Sequence, residues 1–90
     1  MVRHTLDFYA VEEHVDETKR EFVDTVLDIV GREGMKMVEL AAASGLTPQG
    51  LNERLYHSRN SSLRTLCQIA MGLGCKLKIT LERDGQIPHA

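Results

Sequence analysis

At the start of the chain Leu6, Phe8 and Ala10 alternate with Thr5, Asp7 and Tyr9. This is the period-2 pattern of a short strand over Thr5–Val11, although over so few positions a helix fits as well. Asp16 or Thr18 can then cap a helix, because Thr18-Lys19-Arg20-Glu21 has the spacing of a capping box. Phe22, Val23, Val26, Leu27, Ile29 and Val30 follow with helical period, their acidic neighbours outside, until Gly31 and Gly34 stop the run. A second helix spans Lys36 to Ser44 with Met37, Leu40 and Ala41 inward, ending at Gly45. A third opens at Thr47 as N-cap with Pro48 at its first position, and Leu51 and Leu55 share one face. After a polar connection from His57 to Ser62, Asn60 or Ser61 caps a fourth helix. It carries Leu63, Leu66, Cys67, Ile69, Ala70 and Leu73, and Gly72 and Gly74 close it. From Lys76 to Arg83, Leu77, Ile79 and Leu81 alternate with Lys76, Lys78 and Thr80, the pattern of a second strand that Asp84-Gly85 ends.

The pattern predicts a single, mainly α domain over residues 1–90: an N-terminal strand or arm (1–15), a helical bundle (16–74) and a C-terminal strand (75–84). The segment from Leu40 to Leu51 is the most informative. Two helices that meet tightly need a small residue at the crossing, which Ala41 supplies, and a turn residue at positive φ, which Gly45 supplies at no steric cost. Leu46 plugs the core beneath that turn. From Pro48 to His57 the next helix is ~15 Å long, a size that suits a major groove ~12 Å wide. The competing reading is an ordinary helical hairpin.

Charge adds an asymmetry that the net value of −2 conceals. Residues 1–34 carry nine acids (Asp7, Glu12, Glu13, Asp16, Glu17, Glu21, Asp24, Asp28, Glu33) against Arg3, Lys19, Arg20 and Arg32, for a balance of −5. Residues 35–90 carry seven bases (Lys36, Arg54, Arg59, Arg64, Lys76, Lys78, Arg83) against Glu39, Glu53, Glu82 and Asp84, for +3. One half suits a polyanion and the other a different partner. With 42% hydrophobic and 27% charged residues the chain can build a core. It has no apolar run of the ~20 residues a membrane span needs. With two cysteines, Cys67 and Cys75, and no apolar leader, it reads as cytoplasmic.

Leu40-Ala41, Ser44-Gly45-Leu46-Thr47, Leu51 with Leu55, Asn60-Ser61-Ser62-Leu63, Thr65-Leu66 and Gly72-Leu73-Gly74-Cys75-Lys76-Leu77 together resemble the lambda-repressor-like (Xre/Cro-type) helix-turn-helix domain. The likeness is closest to the HigA-like addiction-module antidote branch. It covers about half of the chain. The resemblance implies a small bundle that binds duplex DNA, with the Asn60-Ser61-Ser62 start meeting phosphate through its backbone. It also marks departures: Arg54 stands where most members are apolar, Pro48 replaces a frequent DNA contact, and Met37 replaces a phosphate-binding glutamine.

With Leu51 and Leu55 inward, Gln49, Asn52, Glu53 and Tyr56 lie on or beside the outer face. Gln49 and Asn52 are the choices for base readout, since both amides bond adenine bidentately; the resemblance also points to Gln49. Glu53 accepts from cytosine or repels phosphate. Lys36, Arg54, His57, Arg59, the Asn60-Ser61-Ser62 start and Arg64 surround them as phosphate contacts, and Thr47 and Pro48, which open the helix, complete the DNA-binding set. The alternating strand needs a pairing partner, either Thr5–Val11 or its equivalent in a second chain, so Leu77, Ile79 and Leu81 are expected to pair chains into a homodimer. Two-fold symmetry would set the helices ~34 Å apart on a palindromic operator. His4, His14, His57 and His89 lack ligand spacing and Gly72-Leu73-Gly74 lacks the rest of a dinucleotide loop, so neither a catalytic site, a metal nor a cofactor is expected. Two functions follow: a sequence-specific DNA-binding repressor, or an antitoxin whose acidic N-terminal half neutralises a basic toxin and which represses its own operon.

Overall fold

The computed structural model describes residues 6–58 and 61–83. The chain is mainly helical in the order α1 (Phe8–Glu33), α2 (Met37–Ala43), α3 (Pro48–Asn52), a π-helical turn (Glu53–His57) that continues α3, and α4 (Leu63–Gly72).

The first helix begins nine to eleven residues earlier than its pattern indicates, capped by Asp7 instead of Asp16 or Thr18. Asp7 caps it, its Oδ1 accepting from the Tyr9 and Ala10 backbone N–H groups at 2.9 and 3.4 Å. From Phe8 onward the expected N-terminal strand is therefore α-helix, while His4 and Thr5 lie outside the described residues. Phe8 and Ala10 look like alternation only because they are two apart; Phe8, Val11, Val15 and Phe22 form a helical stripe that runs straight into Val26 and Val30. Thr18 and Glu21 lie in mid-helix and form no capping box. Gly31 is passed without a break, its weak helix propensity outweighed by the packing of its neighbours. The helix stops at Gly34, whose φ of 64° is left-handed and whose N–H returns to the last turn.

The core is made by one face of each helix: Val23, Val26 and Val30 from α1, Leu40 and Ala41 from α2, Leu51 and Leu55 from the third helix, Ile69 from α4, and Leu73 beyond it. Leu40, Leu51 and Ile69 are the largest fully buried side chains. Leu46 packs against this core from the turn, as do Met35, Met37 and Cys75. Leu27 and Leu63, both expected inward, are exposed, and Cys67 is half-buried outside the core. Ser62, rather than Asn60 or Ser61, caps α4, its hydroxyl accepting from the Thr65 N–H at 3.2 Å.

α4 ends at Leu73 and Gly74, whose φ is 76°, and the last helical residue, Gly72, is required for a steric reason. A Cβ there would stand 2.3 Å from the Ser44 hydroxyl oxygen, so only glycine allows α4 to lie this close to the end of α2. Among the described residues there is no β-strand, and the segment from Lys76 to Arg83 carries neither helix, turn nor strand pairing. The intrachain partner expected for it is consumed by α1. Arg3, Arg59, Asn60, Asp84, Gly85 and His89 lie outside the described residues.

Candidate nucleic-acid interface

The third helix is held out by the turn before it. The Ser44 N–H donates to Leu40 O at 2.9 Å and the Leu46 N–H to Ala41 O at 2.8 Å, wrapping the chain around Gly45, whose φ is 71°. Thr47 then caps α3, its Oγ1 accepting from the Gly50 N–H at 2.9 Å, and Pro48 takes the position where no N–H is needed. α2 is started differently: the Lys36 N–H donates to Glu39 Oε1 at 2.8 Å. The Lys36 residue is exposed, and so is Glu39.

Leu51 and Leu55 anchor this helix with 1% and 4% exposure, and its other side faces outward. Thr47, Pro48, Gln49, Asn52, Glu53, Tyr56 and His57 are all exposed. Gln49, Asn52 or Glu53, and Tyr56 fall on one stripe at helical spacing. The front thus presents two amides, one carboxylate and a phenol.

The cations expected around it divide into two groups. Lys36, His57 and Arg64 are exposed on separate elements. Arg54 is half-buried, its Nη1 donating to Gly50 O at 3.0 Å, so this guanidinium lies back along its own helix instead of reaching outward. Ser61 is turned inward as well. Its hydroxyl accepts from Lys19 Nζ at 2.8 Å and donates to Arg54 O at 3.3 Å. Arg59 and Asn60 lie outside the described residues.

Lys19 is the residue that sequence reasoning missed. From α1 its Nζ reaches 35 to 42 positions along the chain, donating to Arg54 O at 2.6 Å, Ser58 O at 2.9 Å and Ser61 Oγ at 2.8 Å. Carbonyls at the end of a helix have no intrahelical partner, and a cation there also opposes the negative end of the helix dipole. Lys19 therefore fastens the rear of the third helix, and the connection leading to α4, onto α1. Burial lowers its pKa from the usual 10.5. The sequence offered one hint, a base in an acidic stretch, but a contact this distant has no local signature. Gln68 is a second such residue, donating from Nε2 to Ser44 O at 3.2 Å and bracing α4 against the turn.

An open groove of about 580 Å³ runs beside the Lys19–Ser61 contact, lined by His14, Val15, Thr18, Lys19 and Phe22 from α1, Ser61, Leu66 from α4, and the consecutive residues Leu77 to Thr80. Both cysteines are free thiols, and among the described residues no three of His, Cys, Asp and Glu converge as metal ligands. No described helix is long and apolar enough to cross a membrane. No family model, curated protein or solved structure matches the chain.

Proposed function

We propose that this chain is a sequence-specific double-stranded DNA-binding regulator of the lambda-repressor-like helix-turn-helix kind, a cytoplasmic repressor that acts as a homodimer on a palindromic operator. The observation that carries the reading is the third helix. It is tied down along Leu51 and Leu55 and fastened at its rear by Lys19, while Gln49, Asn52 and Glu53 stand exposed at its front and Tyr56 is half exposed beside α1. Gln49 and Asn52 read bases; Lys36, His57 and Arg64 meet phosphates. Arg54 and Ser61 serve instead as internal braces. Each chain offers one short reading helix, so two are needed for a useful site, and Leu77, Ile79 and Leu81 pair the chains as a strand that forms on association.

The test is selection of bound duplexes from a random library, followed by titration of the winning site. Gln49→Ala and Asn52→Ala are each expected to lose ~1–3 kcal/mol on that site and to relax its sequence at one position. Lys36→Ala is expected to weaken all duplexes alike and to flatten the salt slope by ~0.9. Recovery of no enriched duplex would end this reading.

A second reading, an antitoxin, is favoured by the N-terminal half of α1. Residues Asp7 to Thr18 hold five acids and no lysine or arginine, and Phe8 and Tyr9 among them are 71% and 85% exposed. An exposed acidic, aromatic helix suits a small basic protein. Co-purification of such a partner with the chain, lost in a Phe8→Ala, Tyr9→Ala variant that still binds DNA, would support it.

A further inference from the structure

We infer that the segment from Lys76 to Glu82 pairs antiparallel with its own counterpart in a second chain in one register, with Ile79 opposite Ile79. This rests on the homodimer reading above and specifies its interface. Three observations converge on it. Among the described residues, no main-chain hydrogen bond joins residues 76–82 to another segment, leaving their N–H and C=O groups unpaired. Such an edge is a template for a further strand. Its apolar side chains become steadily more open along the chain: Leu77 is half-buried in the groove against α1, Ile79 is 68% exposed and Leu81 is 97% exposed. Among the described residues Ile79 is covered only in part, at the edge of the groove, and Leu81 hardly at all.

The sequence of the segment then selects the register. Directly opposite residues share a face, so only registers that place odd positions against odd positions bring both apolar sets together. With Ile79 opposite itself, Leu77 faces Leu81 of the other chain, Lys76 faces Glu82, and Lys78 faces Thr80, each twice by symmetry. All six apolar side chains then sit on one face over the two grooves, and both terminal ion pairs have the correct sign. A shift of two residues one way sets Lys78 opposite Lys78, a like-charge clash. The opposite shift sets Leu77 against Arg83 and leaves it without an apolar neighbour. A second copy fits this edge better than an unrelated strand because the segment is complementary to its own reverse.

Cysteine crosslinking of the full chain tests the register, with Cys67→Ser and Cys75→Ser removing the native thiols. Directly opposite Cα atoms lie ~4.5–5.5 Å apart and diagonal ones beyond the ~7 Å that a disulfide spans. Ile79→Cys is therefore expected to form a covalent dimer at least about tenfold faster than Lys78→Cys or Thr80→Cys. A mixture of Leu77→Cys and Leu81→Cys chains should crosslink as a heteropair. In the chain with its native cysteines, Glu82→Lys should weaken dimerisation, and adding Lys76→Glu should restore it. Faster crosslinking by Lys78→Cys or Thr80→Cys would overturn the register and leave the dimer standing. Dimers without crosslinks at any of these positions would overturn the strand interface alone. A monomer by light scattering at high concentration would end the dimer reading and the register together.

Discussion

The two halves of α1 belong to one continuous helix and are held by different forces. From Phe22 to Val30 the helix buries Val23, Val26 and Val30 in the core they share with residues of α2, the third helix and α4, and Lys19 ties α1 to the rear of the third helix. From Phe8 to Val11 every residue is exposed, and the helix there rests on the Asp7 cap and on continuity with the packed half. Burial of a side chain such as Val is worth ~1.5–3 kcal/mol, whereas a cap contributes ~0.5–2 kcal/mol. The packed half specifies the fold, and the free half costs little to alter. A surface that folding does not require is also a surface that binding can use.

Substitutions in the packed part should have the largest effect. Leu40→Ala, at a fully buried position, is expected to cost ~2–5 kcal/mol in denaturant unfolding, and a loss below ~1 kcal/mol would remove Leu40 from the core. Gly72→Ala comes next at ~1–3 kcal/mol, because its methyl group would overlap the Ser44 hydroxyl. The buried Ser44 Oγ has no hydrogen-bond partner, so Ser44→Ala alone should be near neutral or stabilising. It should also relieve part of the Gly72→Ala penalty, and strict additivity of the two would show that the contact is unimportant.

Lys19→Met should cost ~1–3 kcal/mol, since it removes the charged donor from the Arg54 and Ser58 carbonyls. Thermal melting measures that loss, and amide exchange in residues 53–58 should rise more than in α2. Equal exchange in both places would mean that Lys19 does not fasten the third helix. In the free half, Asp7→Ala should reduce far-UV helicity by about a turn while leaving the main unfolding transition within ~0.5 kcal/mol. Phe8→Ala should be the smallest change, below ~0.5 kcal/mol in stability. A larger loss would show that the N-terminal half is packed after all.

Much of the helical arrangement was legible in the chain. The starts at Thr47-Pro48 and near Ser62, the turn at Gly45 and the stop at Gly34 carry local signatures, because caps and positive-φ turns depend on a few adjacent residues. The inward set Val23, Val26, Val30, Leu40, Ala41, Leu51, Leu55 and Ile69 follows from period alone. The beginning of α1 was misread because strand alternation and helical period coincide over four or five residues. At the candidate interface, the outward stripe from Gln49 to Tyr56 could be read from the positions of Leu51 and Leu55, but the inward turn of Arg54 and Ser61 could not.

Side chains within one or two turns fix the helices from Phe22 onward, most of their inner faces and the exposed front of the third, so these are legible in the chain alone. Packing between remote segments decides that Lys19 braces that helix from another element, that Gly72 must lack a side chain, and that residues 76–82 pair with no strand among the described residues. Each of these depends on the distance between segments remote in sequence. That distance is set by how whole faces pack, and no local pattern encodes it.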